Sequence, residues 1–176
     1  MIPVGSTLVV IDLQPVFQLS NSPWCTPGFD SVVSGIVAAS ALFDTVLATR
    51  FVLPEQPEGS WTEYYRLWSE VRSPEFEHSF DLVKEIAELG CEVVSRPTFS
   101  KWCDALAEHV SGSMTLVGVA TECCVLATAL SAVDAGCSVS IITDLCRGST
   151  SELHDSALRT LSSFAPQIHL LDSSEL

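Results

Sequence analysis

Basic residues are scarce in this chain of 176 residues: Lys and Arg number 8 against 22 Asp and Glu, for a formal net charge of −14. A surface of that sign repels a phosphate backbone, which excludes nucleic acid as a partner. No apolar run approaches the roughly 18 residues that span a bilayer, so no membrane partner is expected. The opening Met1-Ile-Pro-Val-Gly lacks the charged flank and long apolar stretch of a secretory signal, and the expected location is cytoplasmic. The four histidines, His78, His109, His154 and His169, are scattered rather than spaced as metal ligands, and no C-x-x-C occurs. Neither G-x-G-x-x-G nor a P-loop follows any apolar run. The expectation is therefore no metal and no cofactor. Seven cysteines, an odd count without an export signal, read as reduced thiols rather than a disulfide framework.

What is present is an ordinary core-forming composition, 47% hydrophobic and 17% charged, which rules out a disordered chain. Strand and helix patterns alternate throughout. Thr7 to Asp12 is a β-branched run suited to a strand buried on both faces. Asp30 reads as the cap of a helix bearing Val32, Val33, Ile36, Val37 and Phe43. Thr45–Thr49 is a second strand, followed by a polar, aromatic and proline-bearing stretch from Arg50 to about Pro74. A helix with Leu82, Val83, Ile86 and Leu89 ends at Gly90. The rhythm repeats: strands at Glu92–Ser95, Met114–Val119, Ser138–Thr143 and Ile168–Leu171, and helices over Ser100–Val110, Ala120–Ala135 and Ser151–Phe164. Six strands separated by helices predict one α/β domain over 1–176, a three-layer α/β/α sandwich with a six-stranded, mostly parallel sheet.

Ligands of such sheets bind beyond the carboxyl ends of the strands, which selects Asp12, Arg50, Arg96, the Ala120–Cys124 segment and Asp144. Cys124 stands where a strand gives way to a helix. Unsatisfied N–H groups and the helix dipole there are expected to lower a thiol's pKa and can hold an oxyanion. Asp12, closing an apolar strand at the same sheet edge, is costly to bury unless paired and is placed to act as a general base or acid. Trp61, Tyr64, Tyr65 and Trp68 cluster within eight positions and suit either a pocket wall or a subunit contact. Trp61 and Tyr65 are taken as pocket candidates, with Trp24 and Arg50.

Val10-Ile-Asp-Leu-Gln-Pro-Val-Phe17 and Gly118-Val-Ala-Thr-Glu-Cys-Cys-Val125 resemble the opening strand and nucleophile segment of isochorismatase-like cysteine hydrolases, which include nicotinamidases. Ala127-Thr-Ala129, Asp134-Ala-Gly136 and Asp144 fit the same pattern. The resemblance implies Cys124 as nucleophile, Asp12 as acid/base, a cis Val119–Ala120 peptide, an oxyanion hole from the Ala120 and Cys124 N–H groups, and Phe17 in the pocket wall. It also implies a homo-oligomer acting on a small molecule.

Three positions depart from the family pattern. The lysine of K-P-x-[YF]-S is replaced in Ser95-Arg-Pro-Thr-Phe-Ser-Lys101 by Arg96, which can hold an anion but does not exchange protons near neutrality. Arg96 is the favoured cationic partner, with Lys101, at an expected helix start, as the alternative. Glu122 stands for the usual Asp. The Asp-x-His-x-x-His metal motif of nicotinamidases is missing from the Thr49–Glu58 segment. The expected function is cofactor-free cleavage of a small-molecule amide C–N bond through an acyl-enzyme on Cys124. A catalytically impaired scaffold subunit and hydrolysis of an isochorismate-like vinyl ether are the alternatives.

Overall fold

The strands form where β-branched and aliphatic residues run together, and the first of them, β1 (Thr7–Ile11), is buried along its whole length. The structure is a computed structural model that describes residues 7–176; the opening segment read above for signal character lies outside the described residues. After β1 come α1 (Pro15–Gln18), α2 (Phe29–Ser40), β2 (Thr45–Phe51), α3 (Ser60–Leu67), α4 (Lys84–Ala87) and β3 (Glu92–Arg96). Then follow α5 (Asp104–Ala107), β4 (Ser113–Val119), α6 (Leu126–Asp134), β5 (Ser138–Arg147), α7 (Ser151–Ser162) and β6 (Ile168–Leu171). The sheet order is β3-β2-β1-β4-β5-β6, and every pairing is parallel, where the sequence predicted a mostly parallel sheet.

That order fixes where a site can form. From β1 the chain steps outward to β2 and β3; from β4 it steps the other way to β5 and β6. Right-handed crossovers put the helices of the two halves on opposite faces. The crevice between the ends of β1 and β4 is the switch point of the sheet. Asp12 follows β1 there, and Ala120 follows β4.

Several local expectations need correction. Helix α2 is entered through Gly28 at φ 82°, with Asp30 inside its first turn rather than capping it. The helices expected to end at Gly90 and to cover Ser100–Val110 shrink to single turns, α4 and α5. Lys101 therefore lies in an extended segment before α5, not at a helix start. The polar stretch after β2 contains α3. Strand β5 runs on to Arg147 because its register with β4 breaks: Leu116 faces Ile141, but Gly118 faces Cys146.

Gly118 shows how tightly the switch point is packed. Its φ is +114°, and a Cβ there would collide with the Ile11 carbonyl oxygen. Both the backbone conformation and the neighbouring strand require glycine. Gly118→Ala is expected to lose roughly 2–5 kcal/mol of stability, combining a strained φ with overpacking against backbone. Urea unfolding checks this, and a loss below about 1 kcal/mol would contradict the geometry.

Candidate active site

Asp12 sits at φ 49°, a left-handed conformation that Asp tolerates better than most residues. Its carboxylate is fully buried at the end of β1. Oδ1 accepts a hydrogen bond from the Thr49 hydroxyl at 2.6 Å, and the same hydroxyl accepts from the Asp12 N–H at 3.2 Å. Oδ2 is ion-paired with Lys101 Nζ at 2.9 Å, both side chains having no exposed surface. The ammonium also donates to the Thr98 carbonyl at 2.8 Å and lies 4.3 Å from the centroid of the Phe51 ring. Carboxylate, carbonyl and ring face together replace the water that a buried ammonium loses.

Cys124, also buried, belongs to a π-helical turn, Thr121–Val125, that leads into α6. The Thr128 hydroxyl donates to the Cys124 carbonyl at 2.6 Å and accepts from the Lys101 backbone N–H at 2.9 Å. This one hydroxyl ties the lysine segment to the cysteine turn. The Val119–Ala120 peptide just before the turn is cis.

The electrostatics reverse the expectation for Cys124. Its thiol is held well above the ordinary cysteine range, first by burial and then by the Asp12 carboxylate, with Lys101 opposing. The helix-terminus effect does not overcome these, so the resting thiol is protonated, with the Asp12 carboxylate beside it. Cys123 is pushed up to about 11 by burial and Glu122.

A hollow of about 210 Å³ opens over Cys124, walled by Phe17, Trp24, Phe51, Tyr64, Trp68 and Phe99, with Ala120, Glu122, Cys123 and Ser149 at its inner end. A larger cleft of about 530 Å³, between Arg50 and Arg72, lies away from both Asp12 and Cys124. Glu122 Oε1 accepts from the Ser149 N–H at 2.8 Å and from its hydroxyl, tying the cysteine turn to the start of α7. Next to it, Thr121 Oγ1 and His154 Nδ1 are 2.8 Å apart.

Of the residues singled out in the sequence, Asp12, Lys101, Cys124, Ala120, Phe17 and Trp24 come together here, with Val119 buried behind Ala120. Four do not. Arg96 was the favoured cation, yet it closes β3, two strands from β1, and its buried Nε has no hydrogen-bond partner; Lys101 holds the place beside Asp12. Arg50 turns away because alternate residues of a strand face opposite sides: Thr49 and Phe51 serve the site, while Arg50 pairs with Asp81 at 3.0 Å. On α3, Tyr64 and Trp68, four residues apart, line the hollow, whereas Trp61 and Tyr65 form the adjacent row. Trp61 packs behind the wall on Phe99 at 4.9 Å, and the buried Tyr65 lies under the Arg72 guanidinium at 5.1 Å. Thr49, Phe51, Phe99 and Ser149 went unrecognised. The two β2 residues were legible in principle, since strand alternation beyond Asp12's neighbour selects them.

Among the described residues no group of three or more His, Cys, Asp or Glu is placed to hold a metal ion. Arg50 and Phe51 at the end of β2, with Val52 and Leu53 after it, stand where a metal would need oxygen and imidazole donors, so the residues present do not fit one. No helix among the described residues is long and apolar enough to cross a membrane.

A doubly wound parallel sheet with an acid, an amine and a thiol gathered at its switch point defines the general class: an α/β protein with an enzyme-like pocket. The isochorismatase domain pattern matches residues 6–171, and the chain belongs to the isochorismatase family, whose members are generally hydrolytic enzymes. It is similar in fold to an isochorismatase-like hydrolase from Alkaliphilus metalliredigens, with a TM-score of 0.79 and 18% identity over 97% of this chain and 96% of the other. A cysteine hydrolase from Pseudomonas syringae pv. phaseolicola 1448A gives a TM-score of 0.81 and 15% identity over 99% and 92%. The yeast nicotinamidase gives 0.76 and 18% over 95% and 99%. Among curated proteins, none matches the chain in sequence.

The electrostatics fix the sign of two substitutions. Asp12 raises the Cys124 pKa and Lys101 lowers it. Asp12→Asn is therefore expected to speed alkylation of Cys124 by iodoacetamide at neutral pH, and Lys101→Met to move its pH profile upward. Peptide mass spectrometry across pH reads both, and a shift of opposite sign in either would refute the arrangement. Each variant leaves one buried charge unpaired and is expected to lose about 3–5 kcal/mol of stability in urea unfolding.

Proposed function

We propose that this protein hydrolyses the C–N bond of a small-molecule amide through an acyl-enzyme on Cys124. The observation that carries the reading is the buried Lys101–Asp12 ion pair beside a protonated Cys124 thiol at the floor of a ligand-sized hollow. Burying two charges costs several kcal/mol per ion unless they are well partnered, and strongly perturbed groups in a cleft mark functional sites.

Asp12 takes the Sγ proton as sulfur attacks the carbonyl carbon. The carbonyl oxygen becomes an oxyanion and is received by the Ala120 and Cys124 N–H groups. The intermediate collapses: the C–N bond breaks, Asp12 returns its proton to the leaving nitrogen, and a thioester remains. Water then attacks the thioester, giving its proton to Asp12, which passes it to sulfur as the acid departs. Lys101 holds the Asp12 carboxylate in place and offsets negative charge as it moves between oxygen and sulfur. The three groups titrate as one cluster.

Lys101 does in this chain what the family lysine does from the end of the preceding strand. Arg96 occupies that strand position, and Lys101 reaches the same carboxylate five residues later. A resident ammonium argues against the impaired-scaffold alternative. Among the described residues the lining of the hollow includes no lysine or arginine to meet a dicarboxylate, which argues against an isochorismate-like substrate.

The test is ammonia release from a panel of small primary amides. Cys124→Ala is expected to fall to background, Lys101→Ala to lose about a hundredfold or more in kcat/KM, and Arg96→Ala to stay within about threefold. Hydroxylamine should intercept the acyl group as a hydroxamate. Equal loss in Arg96→Ala and none in Lys101→Ala would reverse the assignment of the cation.

A further inference from the structure

The walls of the hollow are aromatic rings packed on one another at varied angles: Phe17 and Trp24 are stacked at 14° with centroids 5.9 Å apart. Trp24 meets Phe51 at 76° with centroids 5.5 Å apart and Tyr64 at 39° and 6.0 Å; Tyr64 meets Phe99 at 83° and 5.5 Å. Rings crossed in this way enclose a guest from several directions, and each ring face carries the negative side of its quadrupole.

The charges around the hollow sum to one sign. Lys101 is cancelled by Asp12 at 2.9 Å. Burial pushes the Tyr64 phenol up, as it does the Cys123 and Cys124 thiols, so all three stay neutral at physiological pH. His154, behind Glu122, is pushed down by burial and Arg147 and stays neutral as well. Arg147 directs Nη1 to the carbonyls of Asp144 and Cys146. That guanidinium keeps its charge but is not among the residues that line the hollow, and among those described residues the one charged side chain is Glu122. Its Oε1 takes both hydrogen bonds from Ser149, whereas its buried Oε2 has no hydrogen-bond partner. Among the described residues no ion pair includes it.

An aromatic enclosure with one unneutralised carboxylate in its wall is the complement of a cation. We propose that this hollow selects amides that carry a cationic nitrogen, a quaternary or protonated ammonium, and that Glu122 is the residue that sets this charge preference. The aromatic faces desolvate the cation's alkyl shell, and Glu122 supplies the counter-charge through a low-dielectric wall. The catalytic outcome rests on the hydrolase reading above; the binding preference does not.

Two amides of one shape separate charge from fit: trimethylammonioacetamide and 3,3-dimethylbutanamide, which differ by N⁺ in place of carbon. Calorimetry on the Cys124→Ala protein, which cannot turn them over, is expected to show the cation bound about tenfold more tightly. In Glu122→Gln on the same background the preference should fall to within about twofold, with the neutral amide unchanged. Ser149→Ala, which keeps the carboxylate and loses the hydroxyl, should retain it. If Glu122→Gln does not fold, Tyr64→Leu serves, and should weaken the cation more than the neutral amide. Equal or tighter binding of the neutral amide, or a preference that survives Glu122→Gln, overturns the proposal. A cation preference without ammonia release by the wild type upholds it and counts against the hydrolase reading instead.

Discussion

The Asp12–Lys101 ion pair, entirely without exposed surface, is the constraint on which the rest of the site depends. A carboxylate at the end of a wholly buried central strand has no water to turn to, and a buried lysine against the Phe51 ring has none either. Each is tolerable only because the other is there. The surrounding structure is arranged around that necessity. Thr49 on β2 turns one carboxylate oxygen away, so that the other meets the ammonium. The Thr98 carbonyl and the Phe51 ring occupy the remaining donors of the lysine. Thr128 ties the lysine's backbone to the carbonyl of Cys124, so the pair and the thiol are positioned by one connected set of hydrogen bonds drawn from β1, β2, the segment before α5, and α6.

This arrangement also explains why the thiol is not acidic. In a pocket where helix dipole and cation dominate, cysteine rests as thiolate. Here burial and a neighbouring carboxylate dominate, and the resting thiol keeps its proton. In the mechanism proposed above, reactivity is thereby conditional, since sulfur becomes nucleophilic as Asp12 accepts its proton. In a chain with six further free thiols, such restraint also limits adventitious oxidation, which follows thiolate character.

The sheet was legible in the sequence because its strands are β-branched runs of the length and spacing that α/β proteins demand, and Asp12 and Cys124 were legible because each terminates or follows such a run. Two kinds of information were not. The first is where a long side chain goes: Arg96 stands at the expected position, but only tertiary geometry shows that Lys101, five residues on, reaches Asp12. The helix anticipated over Ser100–Val110 hid this, since the segment is extended exactly where the lysine needs to turn inward. The second is which row of a helix faces the pocket. Within α3 the choice between Trp61/Tyr65 and Tyr64/Trp68 depends on how the helix rolls against Phe51 and Phe99, and those contacts join residues far apart in sequence. Arg50 is a different case, because strand alternation from Thr49 was enough to turn it outward.

The chain has only two lysines, and the fold treats them in opposite ways. Lys84 is mostly exposed and loosely paired with Glu88 at 3.6 Å, while Lys101 is sealed. Amine-directed reagents applied to the folded protein therefore meet one side-chain target, outside the lining of the pocket, which makes Lys84 a natural handle for attaching a dye or a solid support. Acylation of Lys101, by contrast, requires the interior to open, so the appearance of label at that position is a built-in gauge of how often it does.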